Sequence, residues 1–519
     1  MKKLYLLTIA AVVASISHAQ TSYYKFVNEP TIASSSFLSC LATNTGYVFA
    51  GSANNLIFDS HFFIARTSTT GALQQMRSFP SSGFNRISSV LETLDGKIAY
   101  WGTEGNSTSF VNSLALLKTD IVGNFLITKT FSSSLYSLSS TKFFQDAQEN
   151  YYLLATATNT LTFQDAICLI KTDVSGNIIS QKLLDLVVST SSMDIIPTAG
   201  NGVLVTGYAN NGSSIETIAL FKLDANLSLS WSKWYSSPTT RYFHYDVKEK
   251  PNGNFILCGR YDDTTNPYGT LVMEIDNSGN QVWARKYQAN NGSRNHGYEI
   301  QLTTSGDAVI GGGIDLNLGS GPIMAMSVNA SSGSVNWSKF LNSGAVSTET
   351  IYSMQFTSGG DILACGYRDG NATMLKASST FDVCSDSLFG ITDAALTIPT
   401  QSASPTISNA VLTSGNWSKT PASFTTVADA CSGVGISEKE DDLTFSAYPN
   451  PVKSTFIVTG KHSFDGIKIF DSLGKLVYEK TIQNEQEFEI STAELHSGIY
   501  QLQVWRNEKM KSIKLIKMD

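Results

Sequence analysis

The stretch Leu114-Ala115-Leu116-Leu117-Lys118-Thr119-Asp120, followed by the turn Val122-Gly123-Asn124, recurs in altered form along this chain of 519 residues. An apolar run that ends in a Gly-Asn turn is typical of one strand of a β-hairpin. The position of Lys118 recurs at intervals of 49 to 53 residues, at Arg66, Lys118, Lys171, Lys222, Glu274, Ser327 and Lys376. Seven copies at one period indicate a repeat architecture.

A second motif follows the same period. It is an aromatic residue, any residue, Lys or Arg, and usually another aromatic, most clearly in Trp231-Ser232-Lys233-Trp234-Tyr235. Its basic residues lie 51 to 54 residues apart, at Lys25, Arg77, Lys129, Lys182, Lys233, Arg285 and Lys339. Each period therefore holds four short strands, named a to d. Strand a resembles Tyr245–Lys248, b is an apolar run ending in Gly, c carries the first motif and d the second.

Four antiparallel strands in a period of about 50 residues are the signature of a propeller blade. The chain begins with a d strand at Tyr23–Val27, and its seventh unit ends on a c strand at Ala372–Lys376, so the N-terminal strand is expected to complete the last blade. The predicted fold class is all-β: a seven-bladed β-propeller over residues 21–381, followed by a small Ig-like β-sandwich. A β-solenoid is the alternative, although its coils are usually shorter.

Residues 1–19 have the pattern of a secretory signal peptide. Lys2 and Lys3 precede an apolar run from Leu4 to Ala14, and Ser17-His18-Ala19 places small residues before a cut at Gln20. The run is too short to span a bilayer, and no later stretch reaches about 18 consecutive apolar residues. We therefore expect an exported chain without a transmembrane segment after cleavage.

Residues 382–442 break the period and are predicted to be a linker or a segment that caps the propeller. Cys384 and Cys431 flank its polar part, and in an exported chain these two cysteines are expected to form a disulfide. The other four cysteines, Cys40, Cys168, Cys258 and Cys365, lie in apolar strands and are expected to be buried thiols.

From residue 443 to residue 519 the composition changes again, and alternating apolar residues predict about seven strands in a small sandwich. This region has four landmarks, which are Tyr448-Pro449-Asn450-Pro451, a hairpin at 470–475 with Gly474 and Lys475, Leu495-x-x-Gly498-x-Tyr500 and a basic last strand. Together they resemble the type A C-terminal sorting domain of the type IX secretion system.

The resemblance implies that the type IX machinery is a partner of the chain. It also implies a route through the periplasm and across the outer membrane to the medium or the cell surface. Such domains are usually removed afterwards, and the cargo is released or attached to surface lipopolysaccharide. The propeller repeats resemble, more loosely, those of other cargo of this system.

Composition and motifs exclude several function classes. The net charge is −7 and only 15% of residues are charged, which does not suit a nucleic-acid-binding surface. The sequence has no phosphate-binding Walker loop, no Gly-x-Ser-x-Gly and no His-Glu-x-x-His. The Asp-x-x-Gly-Asn turns lack the dense Asp alternation of a calcium loop, so hairpin turns are the better explanation. We expect neither a metal nor a cofactor.

One cluster is a candidate ligand site, at the d-to-a connections of two adjacent blades. Its residues are Arg241, His244, Asp246, Arg294, His296 and Glu299. Arginines, histidines and carboxylates near the channel of a propeller could bind a sugar or an anionic group. The alternative is that Tyr245, Tyr298 and Tyr352 in the same positions belong to the repeat core and the rest to solvated loops.

Three functions stay open at this point. A surface or secreted binding or adhesion module, with a surface glycan as possible ligand, fits a propeller without a catalytic set. A secreted glycan-active enzyme would use the 241–299 face, with Asp246 and Glu299 as its carboxylate pair. A purely structural surface protein is the third.

Overall fold

The structure is a computed structural model that describes residues 22–27, 32–56, 59–80, 83–105, 111–186, 188–210, 216–263, 266–315, 321–341, 348–383, 386–388, 390–403, 405–416, 419, 422–424, 427–429, 445–471, 475–506 and 509–518. The predicted signal peptide, Cys384 and Cys431 lie outside the described residues. The chain divides into two compact units, residues 1–431 and 432–519. In the described ranges all regular elements are strands. None of the described segments is a helix with the length and apolar character needed to cross a membrane.

The first unit is a seven-bladed β-propeller in which each blade contributes four strands in the order a to d. Blade 1 comprises β2 (Ser34–Thr43), β3 (Gly46–Leu56), β4 (Asp59–Thr67) and β5 (Leu73–Phe79). Blade 2 comprises β6 (Arg86–Glu92), β7 (Ile98–Glu104), β8 (Ser113–Thr119) and β9 (Phe125–Ser132). Blade 3 comprises β10 (Tyr136–Gln145), β11 (Tyr151–Asn159), β12 (Asp165–Thr172) and β13 (Ile178–Asp185).

The remaining blades follow the same order. Blade 4 comprises β14 (Thr190–Thr198), β15 (Gly202–Asn210), β16 (Glu216–Leu223) and β17 (Leu229–Tyr235). Blade 5 comprises β18 (Thr240–Glu249), β19 (Phe255–Asp263), β20 (Asn266–Ile275) and β21 (Gln281–Ala289). Blade 6 comprises β22 (Arg294–Leu302), β23 (Asp307–Asp315), β24 (Ile323–Asn329) and β25 (Val335–Leu341). Blade 7 comprises β26 (Glu349–Phe356), β27 (Ile362–Arg368), β28 (Asn371–Ala377) and the N-terminal β1 (Tyr23–Val27).

The ring closes as the order of the motifs predicts. Strand β1 pairs antiparallel with β28, with Tyr23 opposite Lys376 and Phe26 opposite Thr373. The two ends of the propeller sequence therefore share one sheet, and the seven-bladed prediction is confirmed. One cluster of buried apolar side chains lies at each of the seven contacts between neighbouring blades, so each sheet buries both faces.

In four copies of the first motif, the residue at the position of Lys118 makes an ion pair inside its own blade. Lys118 lies 3.0 Å from Asp95, Lys171 lies 3.9 Å from Asp146 and Lys376 lies 3.0 Å from Asp361, each aspartate being in the turn between strands a and b. Blade 5 has the charges exchanged, since Glu274 occupies the strand position and pairs with Lys250 in the turn at 2.9 Å. Glu274 and Lys250 therefore form the same ion pair, with the two charges exchanged between strand and turn.

The second motif connects neighbouring blades at their outer rim. Arg285 donates a hydrogen bond from Nε to the Ser332 carbonyl at 2.7 Å, and Tyr287 donates from its hydroxyl to the Gly333 carbonyl at 2.6 Å. Gly333 has φ of +72°, and a Cβ there would lie 2.7 Å from the Trp283 ring. The turn thus needs glycine both for its backbone conformation and for the close approach of the neighbouring blade.

Residues 386–429 add a feature that the period does not predict. They form seven short strands, which together we call the belt. These are β29 (Asp386–Leu388), β30 (Ile391–Ala395), β31 (Thr400–Ser402), β32 (Thr406–Asn409), β33 (Thr413–Asn416), β34 (Ala422–Phe424) and β35 (Val427–Asp429). Each pairs antiparallel with the outermost strand of one blade, in the order blade 6, 5, 4, 3, 2, 1 and 7. Every blade is thereby a five-stranded sheet.

The belt also contributes to the core. Ile398 is only 2% exposed and lies in the cluster between blades 4 and 5, while Leu412 lies in the cluster between blades 2 and 3. The Gln281 side chain makes two hydrogen bonds to this part of the belt. Its amide nitrogen donates to the Leu396 carbonyl at 2.8 Å, and its amide oxygen accepts from the Ile398 N–H at 2.9 Å. The belt therefore covers the edge strands, which would otherwise present unpaired backbone groups.

The second unit is one antiparallel sheet of five strands, which are β36 (Phe445–Tyr448), β37 (Thr455–Phe470), β38 (Leu476–Ser491), β39 (Gly498–Arg506) and β40 (Lys509–Lys517). The long β37 pairs with β38 on one edge, and with β36 and then β39 on the other. Register shifts between Thr459 and Gly466 interrupt the β37–β38 ladder and let the sheet bend around a single core. The strands are fewer and longer than the seven expected, because 455–470 and 476–491 each continue through their bends. The Ig-like sandwich stays a prediction.

We expect Ile398→Ala to destabilise the propeller of the full chain by about 2–4 kcal/mol, because it leaves a cavity between two blades. The matched control is Val411→Ala, in the same belt but 72% exposed, which should leave stability within about 0.5 kcal/mol of the original. Guanidinium unfolding followed by tryptophan fluorescence measures both. Equal stability of the two variants would show that the belt is not packed into the propeller.

Candidate functional site at the channel mouth

The innermost strand of every blade has a β-bulge at the same position. The ladder between strands a and b shifts register between Phe37 and Ser39, Ile87 and Ser89, Ser140 and Phe143, Ser192 and Asp194, His244 and Asp246, Gly297 and Glu299, and Ile351 and Ser353. A bulge leaves one residue without a ladder partner and re-aims the side chains around it. The candidate residues in blades 5 and 6 lie at this break.

Side chains at the bulges bind the backbone of the next blade. The Val247 N–H donates to the Asp194 carboxyl group at 3.0 Å, and the Ile300 N–H donates to Asp246 at 2.9 Å. Serines take the same role in other blades, where the Val90 N–H donates to Ser39 at 3.1 Å. These bonds satisfy N–H groups that the bulge releases from the ladder, so Asp246 is first of all a connection between blades 5 and 6.

An ion-pair network crosses the channel just beside these bonds. Lys142 of blade 3 lies 3.1 Å from Glu299 of blade 6, so the two side chains meet across the ring. Lys248 lies 2.7 Å from Asp246 and 3.8 Å from Glu299. Both carboxylates are buried, and the lysine side chains are about one quarter exposed. The network therefore bridges the channel at this level.

The buried carboxyl groups of Asp194 and Asp246 have opposite pKa shifts. Burial, and then the charge of Asp246, raise the pKa of Asp194 to about 7. Burial would also raise the pKa of Asp246, but Lys248, Lys142 and a hydrogen bond from Asp194 outweigh it and lower that pKa to about 2. The pair thus holds one proton, on Asp194, over the acidic range, because two carboxylates this close do not both ionise easily.

The two candidate histidines are buried and neutral. His244 shares a hydrogen bond with the Thr206 hydroxyl, and burial lowers its pKa to about 4. Burial, and then the charge of Arg260, lower the pKa of His296 to about 3. His244 is enclosed in the wall of the channel, whereas His296 lies against the tyrosines at its mouth.

Three tyrosines from consecutive innermost strands form a row at the mouth of the channel. The ring of Tyr298 lies 4.7 Å from that of Tyr245 and 5.5 Å from that of Tyr352, centroid to centroid. The His296 ring meets Tyr298 edge-on at 4.6 Å. Each tyrosine is partly exposed and is the residue that the bulge of its strand leaves unpaired. The row therefore lies one residue to the d-to-a side of the bulge side chains, and the cluster beside it reaches the start of β22 at Arg294.

Beside the row lies a group of cations and aromatics, which with the row we call the mouth cluster. The Arg260 guanidinium lies over the Phe243 ring at 4.3 Å and the Tyr268 ring at 4.8 Å. Arg294 lies over the same Tyr268 ring at 4.9 Å. Such cation–π contacts hold the guanidinium planes without using their N–H groups.

The six residues singled out in the sequence therefore occupy three places. Asp246, Glu299 and His244 belong to the buried wall and ion-pair network. His296 and Arg294 belong to the mouth cluster. Arg241 lies apart, on the rim, where it is 46% exposed and pairs with Glu216 at 3.2 Å.

Sequence analysis missed Lys142, Asp194, Lys248 and Arg260. Lys142 and Asp194 occupy in blades 3 and 4 the repeat position that Asp246 occupies in blade 5, so aligning strand a across all blades could have found them. Arg260 follows Gly259 within β19, and no pattern in the repeat marks it as near His296.

The Asp-x-x-Gly-Asn segments are turns closed by their own side chain. Asp276 accepts hydrogen bonds from the backbone N–H groups of Ser278 at 2.9 Å and Asn280 at 2.8 Å. Within the described ranges no group of three or more His, Cys, Asp or Glu side chains is placed to hold a metal ion.

The first landmark of the C-terminal unit is hydrogen-bonded to the unit's last strand. The Asn450 side chain donates to the Lys514 carbonyl at 2.7 Å and accepts from the Ile516 N–H at 2.9 Å. Tyr448-Pro449 and Asn450-Pro451 are cis peptide bonds. The Tyr500 hydroxyl donates to the His496 carbonyl at 2.8 Å, so the turn before β39 is fixed by the strand that follows it.

Two hairpin landmarks complete the set. Lys475 closes its turn by donating a backbone hydrogen bond to Asp471 at 2.9 Å, while Gly474 lies outside the described residues. Gly498 starts β39 opposite Lys517.

The same landmarks match a known family. Residues 446–518 match the family model described as a secretion system C-terminal sorting domain. Residues 446–518 are a type IX sorting domain. The chain is accordingly cargo of the type IX system, exported to the cell surface or the medium, and the machinery of that system is its partner.

Several solved structures are similar to this chain at low identity and low TM-score. A protein of unknown function from Dyadobacter fermentans is 10% identical, covers 68% of this chain and 98% of its own, and has a TM-score of 0.41. The α-L-arabinanase of Penicillium chrysogenum is 10% identical over 57% of this chain and 93% of its own, at 0.43. An α-L-arabinofuranosidase from Fusarium graminearum is 13% identical over 56% and 91%, at 0.40. At these identities and TM-scores, the similarities do not indicate a ligand or an activity for this chain. No curated protein sequence matches this chain.

The shared proton makes stability depend on pH. Because the folded pKa of Asp194 lies above its unfolded value of about 4, its contribution to stability is fully present below pH 4 and is lost as pH rises toward 7. We expect Asp194→Asn, which has no titratable proton at this position, to reduce this decline between pH 4 and 7. The control Asp185→Asn, exposed on an outer strand, should keep it. Thermal unfolding of the full chain at several pH values tests this, and an unchanged profile for Asp194→Asn would contradict the assignment of the proton.

We expect export to depend on the sorting domain. We expect the full chain to leave the periplasm of a host with an active type IX system, and a chain that ends at Asp442 to stay there. Immunoblots of periplasm, cell surface and medium measure both. Equal export of the two chains would mean that residues 443–519 are an ordinary accessory domain.

Proposed function

We propose that the chain is an exported binding or adhesion module whose propeller binds a surface glycan at the mouth cluster. The observation that carries the proposal is the row of Tyr245, Tyr298 and Tyr352, which three consecutive blades present side by side at the mouth of the channel. A tyrosine offers an apolar ring face and a polar hydroxyl, the combination suited to the alternating C–H and O–H surface of a sugar.

The mouth cluster supplies the polar groups that a sugar site needs. His296 is neutral, and can donate or accept a hydrogen bond beside Tyr298. Arg260 and Arg294 add donors on the same side. Aromatic surface with a few convergent polar groups is the common composition of small-molecule sites.

The ion-pair network favours binding over turnover. A glycosidase needs one carboxyl group free to donate a proton and another free to attack or to activate water. Asp246 is engaged by Lys248 and by the Ile300 N–H, and Glu299 is engaged by Lys142. These contacts give both carboxylates a role in joining blades. The alternative, a secreted glycan-active enzyme using the 241–299 face, would need them to be released.

The export route adds three proposals. Residues 1–19 act as the signal peptide that delivers the chain to the periplasm. Cys384 and Cys431 form a disulfide there, and so join the two ends of the belt. The sorting domain then adopts an Ig-like arrangement for recognition by the machinery and is removed after export.

We expect Tyr298→Ala to weaken glycan binding about tenfold, because it removes the central ring of the row. Phe163→Ala is the matched control, since Phe163 is 79% exposed on a b-to-c loop outside the mouth and should leave binding unchanged. A glycan array, followed by calorimetry on the strongest ligand, measures the affinity.

The same samples decide between the two functions. Incubation of the bound glycan with the propeller, followed by mass spectrometry, should show intact glycan. Appearance of shortened products that is abolished by Asp246→Asn would favour the enzyme. Absence of any glycan binding would refute the binding proposal.

A further inference from the structure

The mouth cluster holds two guanidinium groups that make no salt bridge to a described residue, although Asp315 lies beside them. Arg260 and Arg294 lie over the same Tyr268 ring, at 4.8 and 4.9 Å. Among the described residues, neither has a carboxylate oxygen within 4 Å of its side-chain nitrogens, whereas Arg241 on the nearby rim pairs with Glu216. Two like charges held this close are unfavourable unless an anion joins them.

Arg260 is held in place without using its hydrogen-bonding capacity. Its guanidinium lies between the rings of Phe243 and Tyr268, and its buried Nε makes no hydrogen bond to any described residue. A buried donor without a partner carries a free-energy cost that a ligand acceptor would remove. The planar fork of a guanidinium matches the two oxygens of a carboxylate or a sulfate.

The other titratable groups around Arg260 leave this side of the mouth with more positive than negative charge. Asp315 lies opposite Arg294 in the β22–β23 ladder. Burial raises its pKa and the charge of Arg260 lowers it, and an ionised Asp315 offsets only one of the two guanidinium charges. His296 is neutral, and the pKa of Tyr245 and of Tyr298 is raised by burial, so these groups stay uncharged at neutral pH. The side of the mouth next to Tyr298 is therefore electropositive in a chain whose net charge is −7.

We propose that the glycan bound at the mouth is anionic, and that Arg260, assisted by Arg294, receives a carboxylate or sulfate group of one sugar while Tyr298 stacks on its neighbour. This rests on the proposed glycan binding and adds the chemical class of the ligand. The guanidinium of Arg260 is the specificity-determining group, because it is oriented by two rings before the ligand arrives.

The test compares three oligosaccharides of similar length: a neutral galactan hexamer, a galacturonate hexamer and a sulfated carrageenan hexamer. Calorimetry with the full chain should show at least one of the two anionic oligomers binding about tenfold or more tightly than the neutral one. The anionic oligomer that binds identifies the group as carboxylate or sulfate. Raised salt should weaken that binding and leave the neutral oligomer unchanged.

Variants assign the effect to Arg260. Arg260→Gln should reduce affinity for the anionic oligomer about tenfold and abolish its advantage over the neutral one. Arg260→Lys keeps the charge but not the fork and should give an intermediate loss, which guards against a folding defect. Arg294→Gln, at an exposed position, should give a smaller loss, and the control Arg241→Gln none.

The outcomes separate the two proposals. Equal binding of neutral and anionic oligomers, or unchanged preference in both Arg260→Gln and Arg294→Gln, would overturn the anionic ligand and leave glycan binding intact. Absence of binding to all three oligomers and to the wider array would overturn the proposed function itself. Free sulfate that competes with the anionic oligomer, and does not compete with the neutral one, would support the anion site.

Discussion

The pairing of β1 with β28 is the constraint on which the rest of the molecule depends. Tyr23 and Lys376 are 376 − 23 = 353 residues apart in sequence, and bringing such distant segments together costs about 5 kcal/mol of chain entropy. That cost is repaid only when all seven contacts between blades form at once, since each sheet needs two neighbours to bury its faces. Closure of the ring therefore places the seven bulges around one axis and brings Lys142 to Glu299.

The same closure limits where a ligand can bind. At the level of the bulges the channel is bridged by charged side chains that already bond to one another and to the backbone of the next blade, as Asp246 does with Lys248 and Ile300. Removing one partner there would leave a buried charge unpaired. A ligand that approaches from the d-to-a side meets aromatic rings and guanidinium groups first, so recognition is confined to the mouth.

The sequence could predict those features that repeat. Blade number, strand order and ring closure follow from two markers at one period, and the sorting domain follows from landmarks such as Asn450, whose bonds to β40 explain why that residue is needed. The belt could not be predicted in the same way. Its strands are three to five residues long and pair with sheets far away in sequence, so no local alternation or turn signal marks them. Arg260 was missed for a similar reason, because its neighbours come from other strands.

The position of the belt explains how the sorting domain can be removed without harm to the propeller. The belt ends at Asp429, and the matched sorting domain begins at residue 446. Cleavage between them leaves all seven sheets with five strands and leaves Ile398 and Leu412 in their clusters. The outer edges of the blades, where unpaired backbone would invite aggregation outside the cell, therefore stay covered. A cut before residue 386 would instead expose seven edges at once, so the belt is part of the folded cargo.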